Sequence, residues 1–354
     1  MAYLDTTWLL DWQSKFAQNE KRPQEFGVVD AVKASGKFQD FIDPETISMM
    51  NTMSSARDAQ IPVMKDQTVT VTSSPSFIIP ANLEETDQYA FAAVNIVSGF
   101  RHYPATYGNN AIRSEWAAAE KTKNVLMAMA EAKETALLSV LDARRTQVLT
   151  GTAQISDTAG DYNFNTGTDL LEIKLAAQKE TMFYKLEALM AANKLKGNGR
   201  VVTNPAGLSI QKSEALKYGA ANDKNINALG FLGLDRLHES FAISSSAKFD
   251  GYWLRDGAIG VVENFPYDFA AGTTKADKKW SISPVEMPFV NSRVNVYTNS
   301  GATDATSLVP GDSNAIMTTF EEILFWDRFY VVYRYNSNLG TRANDIVKLQ
   351  GLTS

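Results

Sequence analysis

Few side chains in this sequence have the types and spacing that chemistry requires. Histidine occurs only at His102 and His238, each standing alone, and cysteine is absent. With no HExxH spacing, neither a paired-histidine metal site nor a thiolate nucleophile can be assembled. Lack of cysteine also removes disulfides, zinc knuckles and iron–sulfur ligation. Gly197-Asn198-Gly199 precedes a predicted strand, whereas a dinucleotide-binding turn follows one and opens a helix. Neither a P-loop nor a GxSxG motif occurs. The best ligand-like spacing is Asp161, Asn163, Asn165, Asp169 and Glu172, which fall at positions 1, 3, 5, 9 and 12 of a calcium-loop template. The glycine that the template needs at its sixth position is replaced by Thr166, with Gly167 one residue late. A hairpin followed by a Thr168-capped helix accounts for the same residues. The sequence therefore assigns no catalytic residues, no metal and no cofactor.

Bulk properties narrow the field further. A chain of 354 residues, 44% hydrophobic and 21% charged, can build two or three modest cores. Its 34 basic and 40 acidic residues give a net charge of -6, without the basic runs that bind nucleic acid or anionic membranes. The first ten residues lack a basic, then apolar, leader pattern, and no window approaches the roughly 18 apolar residues of a membrane span. The expectation is a protein that folds in a cytoplasm and has no membrane partner.

The elements that would have to position any site are dominated by one stretch. From Asn109 to Thr150, between Gly108 and Gly151, there is neither glycine nor proline. Asn109 and Asn110 can cap a helix start, with Glu115 near the positive end of its dipole. Ile112, Trp116, Ala119, Leu126, Ala130, Leu137, Leu141 and Val148 recur at helical spacing. Lys121, Lys123, Glu131, Lys133 and Glu134 lie largely off that stripe. At about 1.5 Å per residue the predicted rod is roughly 60 Å long, too long for burial along its whole length. No second helix of similar length exists to pair with it.

Ahead of this rod, Trp8, Trp12 and Phe16 sit four apart on a short amphipathic helix, an arm whose apolar face needs a surface to pack on. Short helical pieces punctuated by Gly27, Gly36 and Pro44 follow. From Ile61 the period becomes two, with strands predicted over Thr68–Thr72 and Tyr89–Phe100. Between them Phe77, Ile78 and Ile79 form an apolar cluster bracketed by Pro75 and Pro80, where a hairpin end is ordinarily polar. Residues 61–108 thus read as an extended two-stranded ribbon, marginal without a partner surface. Beyond Gly167 come a predicted helix Asp169–Lys196, a buried strand Arg200–Thr203 stopped by Asn204-Pro205, and a helix Ala206–Tyr218. Strands follow over Ser240–Ser244 and across Tyr252–Asn264, the latter hinged on Asp256-Gly257. Later strands are predicted at Lys279–Ile282, Arg293–Thr298, the aromatic-rich Ile323–Tyr335 and Ile346–Leu349.

An arm, a ribbon, one long helix, an α/β lobe and a return to long strands, in that order, resembles the major capsid proteins of tailed double-stranded-DNA bacteriophages. Theirs is the Hong Kong 97 capsid fold, shared by encapsulins. The segment Arg200-Val-Val-Thr-Asn-Pro-Ala-Gly207 is similar to the strand and Asn-Pro turn of their axial domains. The resemblance implies an α+β fold divided into an N-terminal arm at 1–60 and an extended loop at 61–108. The spine helix and the start of the peripheral domain would span 109–167, the axial domain 168–265, and an antiparallel peripheral sheet with the C-terminus 266–354.

It further implies a protein that self-assembles into hexamers and pentamers of an icosahedral shell around phage DNA, held non-specifically. Assembly would take place in the host cytoplasm, with the virion as the final location. Trp8, Trp12, Phe16, Phe77, Ile78 and Ile79 become expected intersubunit contacts. Because the sequence opens on the arm, a separate scaffolding protein is expected, together with a portal protein. Some relatives form a lysine–asparagine crosslink, for which Lys65 is a candidate by location only. The alternatives are an encapsulin-type cargo compartment, a phage tail or baseplate protein, and an α/β enzyme with an unrecognised site.

Overall fold

The computed structural model describes residues 8, 11–12, 25–36, 42–52, 59–64, 86–107, 111–145, 160–165, 167–180, 182–192, 195, 199–218, 236–244, 248–265, 280–287, 289–305, 317–333 and 345–353. Helix α1 (Gly27–Ser35) and helix α2 (Pro44–Thr52) open this part of the chain. Strands β1 (Ala59–Met64) and β2 (Thr86–Phe91) pair antiparallel as a two-stranded sheet of their own, from Ala59 opposite Phe91 to Met64 opposite Thr86. After β3 (Ala93–His102) and a 3-10 turn at Pro104–Tyr107, the long helix α3 runs from Ala111 to Ala143. Its 33 residues make a rod of about 50 Å.

The predicted end at Thr150 is corrected: regular helix stops at Ala143, where the Arg144 amide is shared between the Val140 and Leu141 carbonyls. The inward track also differs from the predicted stripe. Ser114, Ala118 and Thr122 face the core at the helix start, while Ile112 and Trp116 are 80% and 65% exposed. Farther along, Leu126, Ala130, Leu137 and Leu141 are buried as expected, but so are Lys133 and Glu134. The reason is that α3 is covered twice in its middle, by the sheet on one side and by α1 on the other.

That sheet is antiparallel, ordered β10 (Trp280–Met287), β11 (Ser292–Ala305), β12 (Met317–Tyr333), β3, with β9 (Ile259–Glu263) pairing the end of β12 on the side opposite β3, beyond the stretch that β11 pairs. Strand alternation puts Ile323, Phe325, Phe329 and Val331 of β12 into the main core with Leu126, Leu137 and Leu141 of α3. The opposite face of β12 presents Tyr330 and Val332 to a smaller core with Phe91, Met50 and Ile42. This second core fixes α2 and the base of the β1–β2 ribbon to the sheet.

A six-stranded mixed sheet has the order β4 (Tyr162–Asn165), β5 (Leu170–Ile173), β13 (Ile346–Gly351), β8 (Asp250–Arg255), β6 (Gly199–Thr203), β7 (Leu237–Glu239). Helices α4 (Leu175–Glu180), α5 (Met182–Ala192) and α6 (Pro205–Tyr218) accompany it. Its core includes Leu171, Ile173, Phe183, Leu186, Val201, Trp253 and Leu349.

Several expected boundaries move. Leu170 and Ile173, spaced like helix positions, belong to β5, so the helix expected from Asp169 begins at Leu175. The predicted run Tyr89–Phe100 breaks at Ala92 into β2 and β3, which enter different sheets, so 93–102 is sheet and not ribbon. Strands β8 and β9 flank the turn at Asp256-Gly257, where Gly257 takes a φ of 83°, yet they too part into different sheets. Strand β13, expected in the peripheral sheet, instead lies between β5 and β8. Each lobe therefore takes a strand from the stretch of sequence first assigned to the other. Predicted Thr68–Thr72, along with Lys65, lies outside the described residues.

Candidate assembly surface and the buried charges behind it

The N-terminal residues expected to meet a neighbour can be placed in part. Trp12 is only 4% exposed and belongs to the main core of its own chain, with Trp8 partly buried against the same core. The first of these is thus held within the subunit, which is the cis docking that an amphipathic arm also allows. Phe16, Phe77, Ile78 and Ile79 lie outside the described residues. What the structure adds is the ribbon's stem: β1 and β2 hydrogen-bond to each other and to no third strand among the described residues. Apolar exposure falls elsewhere as well, on Ile112 and Trp116 one helical turn apart on α3, and on Val97 of β3.

Glu134 ties the arm to the long helix. Helix α1 has no side-chain cap from its own Phe26, so its first amides need an acceptor from elsewhere. The Val28 and Val29 amides donate to Glu134 Oε1 and Oε2, both at 2.9 Å, and the Ser240 hydroxyl donates to Oε1 at 2.5 Å. A carboxylate at a helix N-terminus also meets the positive end of the dipole. Burial nevertheless pushes its pKa up, against the pull of these three donors. Gly27 makes the approach possible, because a Cβ there would stand 2.3 Å from the Glu239 carbonyl oxygen.

Behind α3, two lysines and two carboxylates converge. The Lys133 ammonium donates to Ser292 Oγ at 2.5 Å and to Asp327 Oδ2 at 3.0 Å, and lies 3.9 Å from Glu263 Oε1. It also sits 4.4 Å from the centre of the Phe329 ring. The Ser292 hydroxyl donates to Glu263 Oε1 at 2.6 Å, and Lys33 reaches the same oxygen at 3.4 Å and the Asn291 carbonyl. Lys133 and Asp327 are fully buried, whereas Glu263 and Lys33 line an open cleft beside α2. Burial raises Asp327 despite the adjacent ammonium; at Glu263 burial also raises the pKa, but Lys133, Ser292 and Lys33 outweigh it and hold it low.

The sequence missed these groups because ionisable side chains on a long helix are ordinarily solvated. It also took His102 to stand alone. Its Nε2 is 2.7 Å from Ser114 Oγ, and its ring stacks on Tyr107 at 5.5 Å. Burial, with Lys121 assisting, lowers its pKa to about 4. Both members of this pair are buried, where they fasten the start of α3 to the end of β3.

Of the calcium-template residues, Asn163, Asn165 and Glu172 lie on the β4–β5 hairpin. The Asn165 side-chain amide donates to Glu172 Oε1 at 3.0 Å, and its own oxygen accepts from the Gly167 amide at 3.0 Å. Asp169 takes a φ of 53°, as a tight hairpin turn requires.

No protein-family model matches the chain, and no curated protein matches it. Among solved structures it is similar to one from Mycobacterium phage Che8, at 13% identity and a TM-score of 0.43 over 88% of this chain and 90% of that one. It is similar to one from Mycobacterium phage Adephagia at 10% identity and a TM-score of 0.44, over 87% and 90%. A third is the capsid structure of the cyanophage P-SCSP1u, at 12% identity and a TM-score of 0.44, over 86% of both chains.

Proposed function

We propose that this chain is a shell-forming subunit, the major capsid protein of a tailed double-stranded-DNA phage. The observation that carries the reading is the isolated β1–β2 ribbon. Two strands alone are marginal in water, and the segment joining them holds Phe77, Ile78 and Ile79 between prolines. A monomer has no use for such an extension, whereas a repeated subunit can bury it on a copy of itself, each copy both giving and receiving the contact. The long helix laid across an antiparallel sheet supplies a stiff body, and the separate mixed sheet supplies a second contact surface.

On this reading Phe16, Phe77, Ile78, Ile79 and the uncovered part of Trp8 meet neighbouring subunits, while Trp12 belongs to the arm's anchorage at home. Hexamers and pentamers close the shell, and scaffolding and portal proteins guide its assembly in the host cytoplasm. The mildly acidic chain contacts packaged DNA without holding it tightly. The test is light scattering on the purified chain, alone and with its scaffolding protein. Rings or closed particles of many subunits support the reading, and a monomer at high concentration under both conditions overturns it. DNA inside the particles separates a phage capsid from a compartment loaded with an enzyme.

A further inference from the structure

We propose that Lys133 and Asp327 form an isopeptide bond within the chain, with Glu263 moving the proton. The proposal goes beyond the shell reading and does not depend on it. Three features of the geometry point to it. The Lys133 nitrogen is held 3.0 Å from Asp327 Oδ2, an oxygen one bond from the carboxyl carbon it would attack, so nucleophile and electrophile are already paired within one chain. Both side chains are fully buried beside the Phe329 ring, so water does not compete for the carboxyl carbon. Asp327 Oδ1 is buried without a hydrogen-bond partner among the described residues, which leaves the ion pair incompletely satisfied.

The chemistry balances without a co-reactant. An ammonium and a carboxylate together become one amide and one water. Glu263, 3.9 Å from the lysine nitrogen and bridged to it by Ser292, takes a proton from the ammonium. The freed amine attacks Asp327 Cγ, the new N–C bond forms, and the C–O bond to one carboxyl oxygen breaks. Protons from the nitrogen leave with that oxygen as water, and Glu263 returns to its carboxylate form. The proton that Glu263 takes from the ammonium passes to Asp327, whose neutral acid burial favours, so that Glu263 is a carboxylate before and after the step. Glu263 borders the open cleft that also includes Lys33 and Arg293, which gives the expelled water a way out. The product replaces two buried charges with a neutral amide and joins α3 to β12 across 194 residues of sequence.

The test is the intact mass of the full chain, folded, incubated and then denatured. The expected mass is lower than the sequence mass by one water, and proteolysis yields a branched peptide joining the Lys133 and Asp327 segments. Lys133→Arg, which preserves the charge, and Glu263→Gln, which preserves the shape, should both fold by circular dichroism and both show the full sequence mass. A wild-type chain at full mass after prolonged incubation overturns the proposal and leaves an ion pair. A water loss that maps elsewhere, or that persists in Lys133→Arg, also overturns it. Full crosslinking in Glu263→Gln removes Glu263 from the step.

Discussion

Replacing Glu134 by alanine would leave the Val28 and Val29 amides and the Ser240 hydroxyl without their acceptor in the interior. The expected loss is about 3 kcal/mol or more, read from denaturant unfolding, since buried donors then carry their full desolvation cost. Glu134→Gln keeps an acceptor and removes the charge, so its loss should be smaller and should change with pH. Glu134 has its pKa raised in the folded state, so its contribution is greatest below the ordinary carboxylate value and is lost as pH rises through the raised one. The variant should therefore gain on the wild type over that rise; a constant gap would contradict the assignment. His102 has the opposite linkage. Its pKa falls from 6.5 to about 4, so the stability it contributes is complete above 6.5 and is lost as pH drops through about 4. His102→Gln should flatten that acid limb relative to the wild type in pH-dependent unfolding. None of this was legible in the sequence, because the partners of Glu134 lie 106 and 105 residues away on α1 and 106 away at Ser240.

Among the elements, the long helix was the most legible, since absence of glycine and proline over so many residues admits little else. Its buried faces were less so: the apolar stripe located Leu126, Ala130, Leu137 and Leu141, while Ile112 and Trp116 matched the period but face outward. Strand partners were beyond reach where pairing is long-range. Nothing local distinguishes β9 as a neighbour of β12, or β13 as a neighbour of β5 and β8. A two-stranded ribbon was expected over 61–108 with a first strand at Thr68–Thr72, which lies outside the described residues; the described pairing is Ala59–Met64 with Thr86–Phe91. Two element-scale changes follow. Gly27→Ala forces a methyl onto the Glu239 carbonyl and should weaken the arm's docking by about 1–3 kcal/mol in thermal or chemical unfolding. Trp12→Ser should destabilise the subunit itself by about 3 kcal/mol, because that ring is core, and unchanged unfolding would remove it from the core.

At the scale of the whole molecule, each lobe takes strands from distant parts of the sequence, and the ribbon, packed at its base through Phe91, pairs with no strand of either sheet among the described residues. On the proposed reading, each copy completes its contacts on its neighbours. Ile78→Asp with Ile79→Asp should therefore leave unfolding near that of the wild type while abolishing particles, since charge is placed at every copy of one contact. Unfolding of the free subunit, or normal particles, would put this segment in the chain's own core. The most direct measurement is electron microscopy of the purified wild-type chain. Closed shells of uniform diameter, with icosahedral averages in which the β1–β2 ribbon lies on a neighbouring subunit, are the predicted result. Dispersed monomers, or particles in which that ribbon folds back on its own chain, would contradict it.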